Sequence, residues 1–379
     1  MRNAKTIFLI AGEASGDSRG AELVRALKKE NPSLSFVGLG GPQMKGAGVD
    51  IIFDLTSIAA LGFGDVLHQY FKIRKIFYDA LRHVHELKPA AIVFIDYPGF
   101  NLRFAKKINK RFPIFYYVSP QIWAWAGRRI HTIRRVVSHM IVLFQFEEEL
   151  YRKAGVPVTW VGHPLIETSI ASKSKGELRK EFGIKDVTVT VALLPGSRES
   201  EIKRILPIIL ASAELIQQQI QNVFFILSET TQVNKSVYDS IFAQFENRLK
   251  ALRVENRMRD ILEVSDAAIV ASGTATLETA VSQIPLAIVY KTAWSTYEIG
   301  KRVIQLPYIG MPNVIAGKKI IREFIQHDAK PKLIAEEIVK ILNESEYQGT
   351  LLTNLKEVRN KLGPTGASSR AAKIIHSLL

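Results

Sequence analysis

Two carboxylates in the first half of the chain stand just after apolar, strand-like runs. Glu13 follows the run Thr6–Ala11 by one glycine, and Asp96 directly follows the run Ala90–Ile95. Ligand sites in open α/β sheets lie where parallel strands end, so two carboxylates at such ends form a candidate acid–base pair. Of the two, we favour Asp96 over Glu13 as the catalytic residue.

These acidic residues also have structural interpretations. Asp96 could cap a helix that we predict to begin near Asn101, although Asn101 is itself a suitable cap and would leave Asp96 free. Asp17, in the turn that follows Glu13, is equally expected to cap a helix.

The second half contains two turns that suit an anionic group. The run Val187–Leu194 ends at a proline followed by Gly196, Ser197 and Arg198, and a helical pattern begins there. Backbone N–H groups and the helix dipole at such a turn attract phosphate, and the guanidinium adds a bidentate donor. Ser197 is expected to cap the helix. The alternative is an ordinary connection with a surface arginine.

A second turn of this kind follows the run Ala267–Val270. Ser272, Gly273 and Thr274 supply backbone donors suited to a diphosphate, and Glu278 is placed to accept hydrogen bonds from ribose hydroxyls. Neither turn matches the P-loop or the Gly-x-Gly-x-x-Gly pattern, which disfavours those nucleotide-binding classes. No cluster has the ligand pattern of a zinc or calcium site, so we predict no metal.

Strand-like runs alternate with helical patterns along most of the chain, which is typical of parallel sheets covered by helices on both faces. We predict two doubly wound α/β domains that face each other across a cleft, with helices at the C-terminus. The predicted boundaries are an N-terminal domain 1–165, a second domain 166–345 and C-terminal helices 346–379, which we expect to pack back on the N-terminal domain or on a dimer partner. The predicted strands are Thr6–Ala11, Leu34–Leu39, Ala90–Ile95, Ile114–Val118, His139–Leu143, Thr159–Val161, Val187–Leu194, Val223–Leu227, Ala267–Val270 and Leu286–Tyr290.

The charge is strongly basic. The 379 residues carry 51 Lys/Arg and 36 Asp/Glu, a net charge of +15. Residues 1–165 supply +10 of it, with basic clusters at 72–75, 106–111 and 128–135. Such a surface suits nucleic acid, an anionic membrane or phosphorylated ligands, or it is a solvated face without a partner. The absence of cysteine and of a long apolar run predicts a cytosolic protein.

One segment departs from the α/β rhythm. Residues 58–63 are apolar, and an amphipathic helical pattern with interleaved lysine and arginine follows them. Val66, Leu67, Tyr70 and Phe71 make its apolar surface wider than a core-facing stripe, which favours contact with a membrane interface. The alternative is a helix packed on the sheet.

Several motifs together resemble the lipid-A-disaccharide synthases. They appear in the order known from that family and extend from Ile7 into the C-terminal helices. The matching segments are Gly-Glu-Ala-Ser-Gly-Asp at 12–17, Ile-Asp-Tyr-Pro-Gly-Phe-Asn at 95–101, Val-Ser-Pro-Gln-Ile-Trp-Ala-Trp at 118–125, Leu-Pro-Gly-Ser-Arg at 194–198, Ala-Ser-Gly-Thr-Ala-Thr-Leu-Glu at 271–278 and Met-Pro-Asn-Val-Ile-Ala-Gly at 311–317. Two positions depart from the family pattern, Gly99 where it often has an acidic residue and Ala126 where it often has a basic one.

The resemblance implies a GT-B fold and an inverting, metal-independent transfer of 2,3-diacylglucosamine from its UDP derivative to 2,3-diacylglucosamine 1-phosphate. Asp96 would be the general base and Glu13 its partner or substitute. The diphosphate would be held by Arg198, Ser197, Ser272–Thr274 and Asn313. The protein would act at the inner face of the cytoplasmic membrane without a cofactor or nucleic acid, and the C-terminal helices allow a homodimer.

Other functions stay open at this stage. Within enzymes, the alternatives are a peptidoglycan glucosaminyltransferase and a UDP-sugar 2-epimerase. Outside enzymes, the alternative is a basic nucleotide-sensing or nucleic-acid-binding module, although the sequence has no recognisable RNA- or DNA-binding motif.

Overall fold

The computed structural model describes residues 5–57, 66–125, 127–168, 171–303 and 306–379, with the backbone alone at 66–69, 125, 299 and 303. The described chain divides into two compact units. Unit 1 comprises residues up to Pro164 together with Leu362–Leu379, and unit 2 comprises Leu165–Lys361.

Unit 1 contains a seven-stranded parallel sheet with the order β3-β2-β1-β4-β5-β6-β7. Its strands are β1 Thr6–Ala11, β2 Ser35–Gly40, β3 Asp50–Asp54, β4 Ala91–Ile95, β5 Ile114–Tyr117, β6 His139–Val142 and β7 Val158–Trp160. Its helices are Ala14–Glu30, Pro42–Gly46, Val66–Leu87, Pro98–Ile108, Ile122–Trp125, Arg129–Val136, Gln145–Lys153 and Ala367–Leu378.

Unit 2 contains a six-stranded parallel sheet with the order β10-β9-β8-β11-β12-β13. Its strands are β8 Val189–Leu194, β9 Val223–Glu229, β10 Ala251–Glu255, β11 Ala267–Ala271, β12 Leu286–Tyr290 and β13 Glu323–Ile325. Its helices are Leu165–Thr168, Lys175–Glu181, Glu199–Gln217, Lys235–Phe242, Met258–Val264, Thr274–Val281, Trp294–Val303, Met311–Ala316, Pro331–Asn343 and Ser345–Lys361, with a short 3₁₀ turn at Gln326–Asp328.

Alternate residues of β1 belong to two different cores. Phe8 and Ile10 pack with helices Val66–Leu87, Pro98–Ile108 and Arg129–Val136 on one face of the sheet. Ile7, Leu9 and Ala11 pack with Ala14–Glu30 and the last helix on the other face. Because both faces are buried, the strand is continuously apolar in sequence.

The fold class predicted from the sequence is confirmed, since both units are parallel α/β sheets with helices at the C-terminus. Strands β3, β10 and β13 were not predicted. All three are edge strands of their sheets and carry mixed polar and apolar residues, so they lack the continuous apolar run of a central strand. Among the described helices, none is long and apolar enough to cross a membrane.

Candidate active site

The order of strands in each sheet reverses direction at one point, and the predicted site residues lie at those points. In unit 1 the chain runs outward from β1 to β3 and then continues from β4 on the other side of β1. Ala11 of β1 is paired with Ile95 of β4, so Glu13 and Asp96 follow neighbouring strand ends. Ligands in open α/β sheets bind at such a switch point.

Asp96 lies in a strained backbone conformation directly after β4. Its φ is 47° and that of Tyr97 is 49°, both in the left-handed region that residues other than glycine rarely adopt. The hydroxyl of Tyr116 and the side-chain amide of Asn101 each donate a hydrogen bond to the Asp96 carbonyl oxygen, both at 2.7 Å. These two donors hold the peptide in its unusual conformation.

The helix that follows begins at Pro98, with Tyr97 as its N-cap residue. The prediction that it begins near Asn101, with Asn101 or Asp96 as its cap, was therefore wrong. Asn101 lies within the helix and is fully buried, and its amide serves Asp96 instead. Pro98 explains the earlier start, because proline is favoured in the first turn of a helix.

Burial and the nearby Glu13 carboxylate together raise the pKa of Asp96 to about 6. The ring of Tyr97 packs over Gly12, where any Cβ atom would come within 2.3 Å of it. Gly12 thus leaves room for the Tyr97 ring beside the end of β1. A carboxylate with this pKa is ionised near neutral pH and is a better proton acceptor than an ordinary surface aspartate.

Asp17 does cap a helix, as expected, but not its own. Its carboxylate accepts hydrogen bonds from the backbone N–H groups of Gly41, Gln43 and Met44, at 2.8, 2.9 and 3.0 Å. These groups belong to the start of helix Pro42–Gly46. Asp17 is buried in this role and does not belong to the pair of carboxylates, Glu13 and Asp96, at the strand ends.

In unit 2 the switch point lies between β8 and β11. Leu194 is paired with Val270, so the two predicted phosphate turns start at the ends of adjacent strands. A cavity of about 1240 Å³ opens there. Seven of the eight predicted donor-binding residues line it, namely Gly196, Ser197, Arg198, Ser272, Gly273, Thr274 and Glu278.

Two helices begin at this cavity, Glu199–Gln217 and Thr274–Val281. Their first backbone N–H groups and the positive ends of their dipoles favour an anion. Ser197 is not the N-cap of the first helix, as the sequence predicted, because Arg198 occupies that position. The Glu201 carboxylate accepts hydrogen bonds from the Ser197 backbone N–H at 3.3 Å and from Arg198 at 3.2 Å.

A family model described as Lipid-A-disaccharide synthetase matches residues 7–375. The lipid-A-disaccharide synthase of Coxiella burnetii (strain CbuG_Q212) is 41% identical to this chain over 376 residues, which cover 99% of each protein. The chain belongs to the lipid-A-disaccharide synthase family. It is therefore a glycosyltransferase.

The fold is shared with solved structures of much lower sequence identity. The UDP-GlcNAc 2-epimerase of Neisseria meningitidis bound to UDP-GlcNAc is 12% identical, with a TM-score of 0.64 and 98% of each chain covered. MurG of Acinetobacter baumannii is 15% identical, with a TM-score of 0.58 and coverage of 98% of this chain and 99% of that one. These similarities support the GT-B fold, and the family match separates this synthase from the alternatives.

Other residues lining the synthase cavity were missed from the sequence. They are Ser228–Thr230 at the end of β9, Asn256–Asp260 after β10, and Ser172, Lys173 and Glu181 near the start of unit 2. Ser172 donates two hydrogen bonds to Asp260, at 2.7 and 2.9 Å, and Arg257 links Asp260 to Glu181. Ser228–Thr230 could have been located from the sequence, because they directly follow the predicted strand Val223–Leu227.

Asn313 does not line this cavity. It is fully buried, and its side-chain amide donates to Ile321 O and to the Glu323 carboxylate, both at 2.8 Å. Its carbonyl oxygen accepts from the N–H groups of Ile320 and Ile321, both at 2.9 Å. The side chain thus ties helix Met311–Ala316 to β13.

The segment predicted to meet a membrane forms the beginning of helix Val66–Leu87. Residues 58–65, and the side chains of Val66 and Leu67, lie outside the described residues. Tyr70 and Phe71 are 55% and 58% exposed, while Ile76, Ala80 and Val84 further along the helix are buried against the sheet.

Proposed function

We propose that this synthase transfers 2,3-diacylglucosamine from UDP-2,3-diacylglucosamine to the 6-hydroxyl of 2,3-diacylglucosamine 1-phosphate. The products are the β-1,6-linked disaccharide 1-phosphate and UDP, with inversion at the transferred C1. Membership of the family supports this substrate pair. The observation that carries the assignment of the chemistry is Asp96, a partly buried carboxylate with a raised pKa at the switch point of unit 1.

Asp96 is the general base of the proposed reaction. The acceptor oxygen O6 forms a bond with C1 of the donor sugar while the bond between C1 and the diphosphate oxygen breaks. The electron pair of the broken bond goes to UDP, and the proton of the hydroxyl goes to the Asp96 carboxylate. Burial and, to a lesser extent, the Glu13 charge raise the pKa of that carboxylate and so increase its proton affinity.

The cavity of unit 2 holds the donor nucleotide in this proposal. The helix N-termini at Glu199 and Thr274, together with the Arg198 guanidinium, stabilise the negative charge that develops on the leaving diphosphate. Glu278 accepts hydrogen bonds from the ribose. Asn313 acts by holding helix Met311–Ala316 in place, because its own polar atoms already bond to the protein.

Membrane association belongs to the same proposal. Both substrates carry acyl chains, so the enzyme must reach them at the inner face of the cytoplasmic membrane. The exposed aromatic rings of Tyr70 and Phe71 stand beside Lys72, Arg74 and Lys75, all exposed as well. This arrangement suits a helix whose aromatics enter the interface while its cations meet headgroups.

The first prediction tests the base. Asp96→Asn removes the proton acceptor with little change in shape, so transfer should fall about 10²–10⁴-fold while binding of the UDP-sugar is retained. The measurement is incubation with both acylated substrates, followed by mass analysis for the disaccharide phosphate and UDP. Asp50→Asn, an exposed position on β3, is the matched control. Near-normal turnover by the Asp96 variant would move the role to Glu13 or elsewhere.

A further inference from the structure

The chain contains a long stretch without acidic residues. Between Asp96 and Glu147, residues 97–146 include nine Lys/Arg and no Asp or Glu. The whole chain has 36 acidic residues in 379, so a stretch of this length would ordinarily contain several. Since strand and loop residues in this stretch are largely apolar, its charge is concentrated on its helices.

The first of these helices is Pro98–Ile108. Phe104, Ala105 and Ile108 are buried in the core on one face of the unit 1 sheet. Arg103, Lys106 and Lys107 are exposed on the other side of the helix, and Lys110 and Arg111 are exposed in the turn that follows it.

The second helix, Arg129–Val136, packs on the same core through Ile133 and Val136. Arg128 just before it, and Arg134 and Arg135 in its last turn, are exposed. Helix Val66–Leu87 also packs on this core, so the three helices lie on the same face of the unit 1 sheet. We use the name basic surface for the exposed cations of the two shorter helices and of the residues beside them. They are Arg103, Lys106, Lys107, Lys110, Arg111, Arg128, Arg134 and Arg135.

No ion pair among the described residues of unit 1 neutralises the cations of the basic surface. The ion pairs of its described residues are Arg19–Glu22, Arg82–Asp79, Arg152–Glu148 and Lys153–Glu149, and none of them involves the basic surface. Basic residues in a last helical turn do complement the helix dipole. That effect does not account for cations beyond the helix ends or for the absence of carboxylates over fifty residues.

We propose that the basic surface docks on anionic phospholipid headgroups, and that it extends the membrane contact beyond helix Val66–Leu87. This inference rests on the membrane association in the proposed function. The adjoining exposed rings of Tyr70, Phe71 and Tyr78 favour a lipid surface over nucleic acid, because a bilayer interface takes up aromatic side chains along with the cations. Near an anionic leaflet each cation contributes about a fivefold gain in partitioning.

The test is a variant with Lys106, Lys107, Arg134 and Arg135 each replaced by Gln. Its partitioning onto vesicles of phosphatidylcholine and phosphatidylglycerol should fall about tenfold or more at low salt, and raised salt should reduce the difference between variant and parent. On vesicles of phosphatidylcholine alone the two proteins should bind equally. The matched control replaces four exposed cations of unit 2 by Gln, at Lys235, Lys250, Lys318 and Lys319.

Several outcomes would overturn the inference. Unchanged binding to anionic vesicles would do so, and so would an equal loss in the unit 2 control. Loss of oligonucleotide binding with vesicle binding intact would assign the surface to nucleic acid instead. Turnover of substrates dispersed in detergent separates the two proposals. If the variant keeps its turnover and also binds anionic vesicles normally, only this inference is refuted. If the parent enzyme has no transfer activity, the proposed function is refuted.

Discussion

Asp96 combines three features that a surface aspartate lacks. It is partly withdrawn from water, it lies near a second carboxylate, and its backbone is held in the left-handed region by hydrogen bonds from Tyr116 and Asn101. Burial and the negative charge of Glu13 both disfavour the ionised form, which is why its pKa is raised. Removing the negative charge of Glu13 should therefore lower the pKa of Asp96.

The second prediction concerns this coupling. The proposed general base must be ionised to accept a proton, so with Asp96 in that role kcat/KM should fall as the pH is lowered through about 6. In Glu13→Gln the neighbouring charge is lost, the pKa of Asp96 falls, and the acid limb of the profile should move to lower pH. The measurement is the pH dependence of kcat/KM for the parent and the variant.

Glu13 directly precedes helix Ala14–Glu30, and Glu30→Gln at the other end of that helix controls for the loss of one carboxylate. Its acid limb should coincide with that of the parent. An acid limb that stays in place for Glu13→Gln would contradict the coupling and leave burial as the cause of the raised pKa.

At the scale of elements, Glu147 connects helix Gln145–Lys153 to the segment 118–125, which follows β5 and contains Trp123 and Trp125. Its carboxylate accepts hydrogen bonds from the Trp123 indole N–H at 3.1 Å and from the Phe144 backbone N–H at 3.2 Å. The side chain is 2% exposed, and burial raises its pKa to about 7 despite these donors. The loop it supports begins at Val118, whose φ of 63° is unusual for a β-branched residue.

The third prediction follows from that pKa. The folded protein binds the Glu147 proton more tightly than the unfolded chain, whose ordinary glutamate pKa is 4.5. This contribution to stability is complete below pH 4.5 and is lost as the pH rises to about 7, at a cost of about 3 kcal/mol. Glu147→Gln cannot titrate, so its stability relative to the parent should rise over this range.

Denaturant unfolding at a series of pH values measures the effect as a difference between parent and variant, in which the other titrating groups cancel. Glu149→Gln, at an exposed carboxylate on the same helix, should show no such trend. A pH-independent difference for Glu147→Gln would mean that folding leaves the pKa of this carboxyl near its ordinary value of 4.5.

At the scale of the whole molecule, the chain leaves unit 1 at Pro164 and returns to it at Leu362. The returning helix Ala367–Leu378 packs on helix Ala14–Glu30, with Ala371, Ala372 and Ile375 in their shared core. The Arg370 guanidinium also donates to the carbonyl oxygen of Val161, at 2.6 and 2.8 Å. The last residues of the sequence therefore complete the first unit.

The fourth prediction is that a substitution in the last helix destabilises unit 1. Ile375→Ala removes a fully buried side chain and should lower the free energy of unfolding of that unit by about 2–5 kcal/mol. Lys373→Ala, an exposed position on the same helix, should change it by less than about 0.5 kcal/mol. Hydrogen exchange, measured separately for the strands of the two sheets, shows which unit loses stability. A loss of protection confined to the strands of unit 2 would contradict the packing of this helix on unit 1.

Much of the site could be predicted from the sequence because its residues directly follow buried strands. An apolar run that stops at Gly12, or at Pro195 and Gly196, marks a strand end and a turn without reference to the rest of the chain. Glu13, Asp96 and the turns proposed to hold the diphosphate were predicted in this way, and the motifs that contain them also resemble the family to which the chain belongs.

The tertiary structure alone decided which strand ends are neighbours and which polar groups are already occupied. Strand order placed β1 beside β4 and β8 beside β11, because hydrogen bonding between strands distant in sequence sets that order. Asn313 was predicted to touch the donor, yet its amide is satisfied by Ile320, Ile321 and Glu323. Local patterns determine where a strand ends, whereas burial and hydrogen-bond partners depend on packing between elements that the local sequence does not specify.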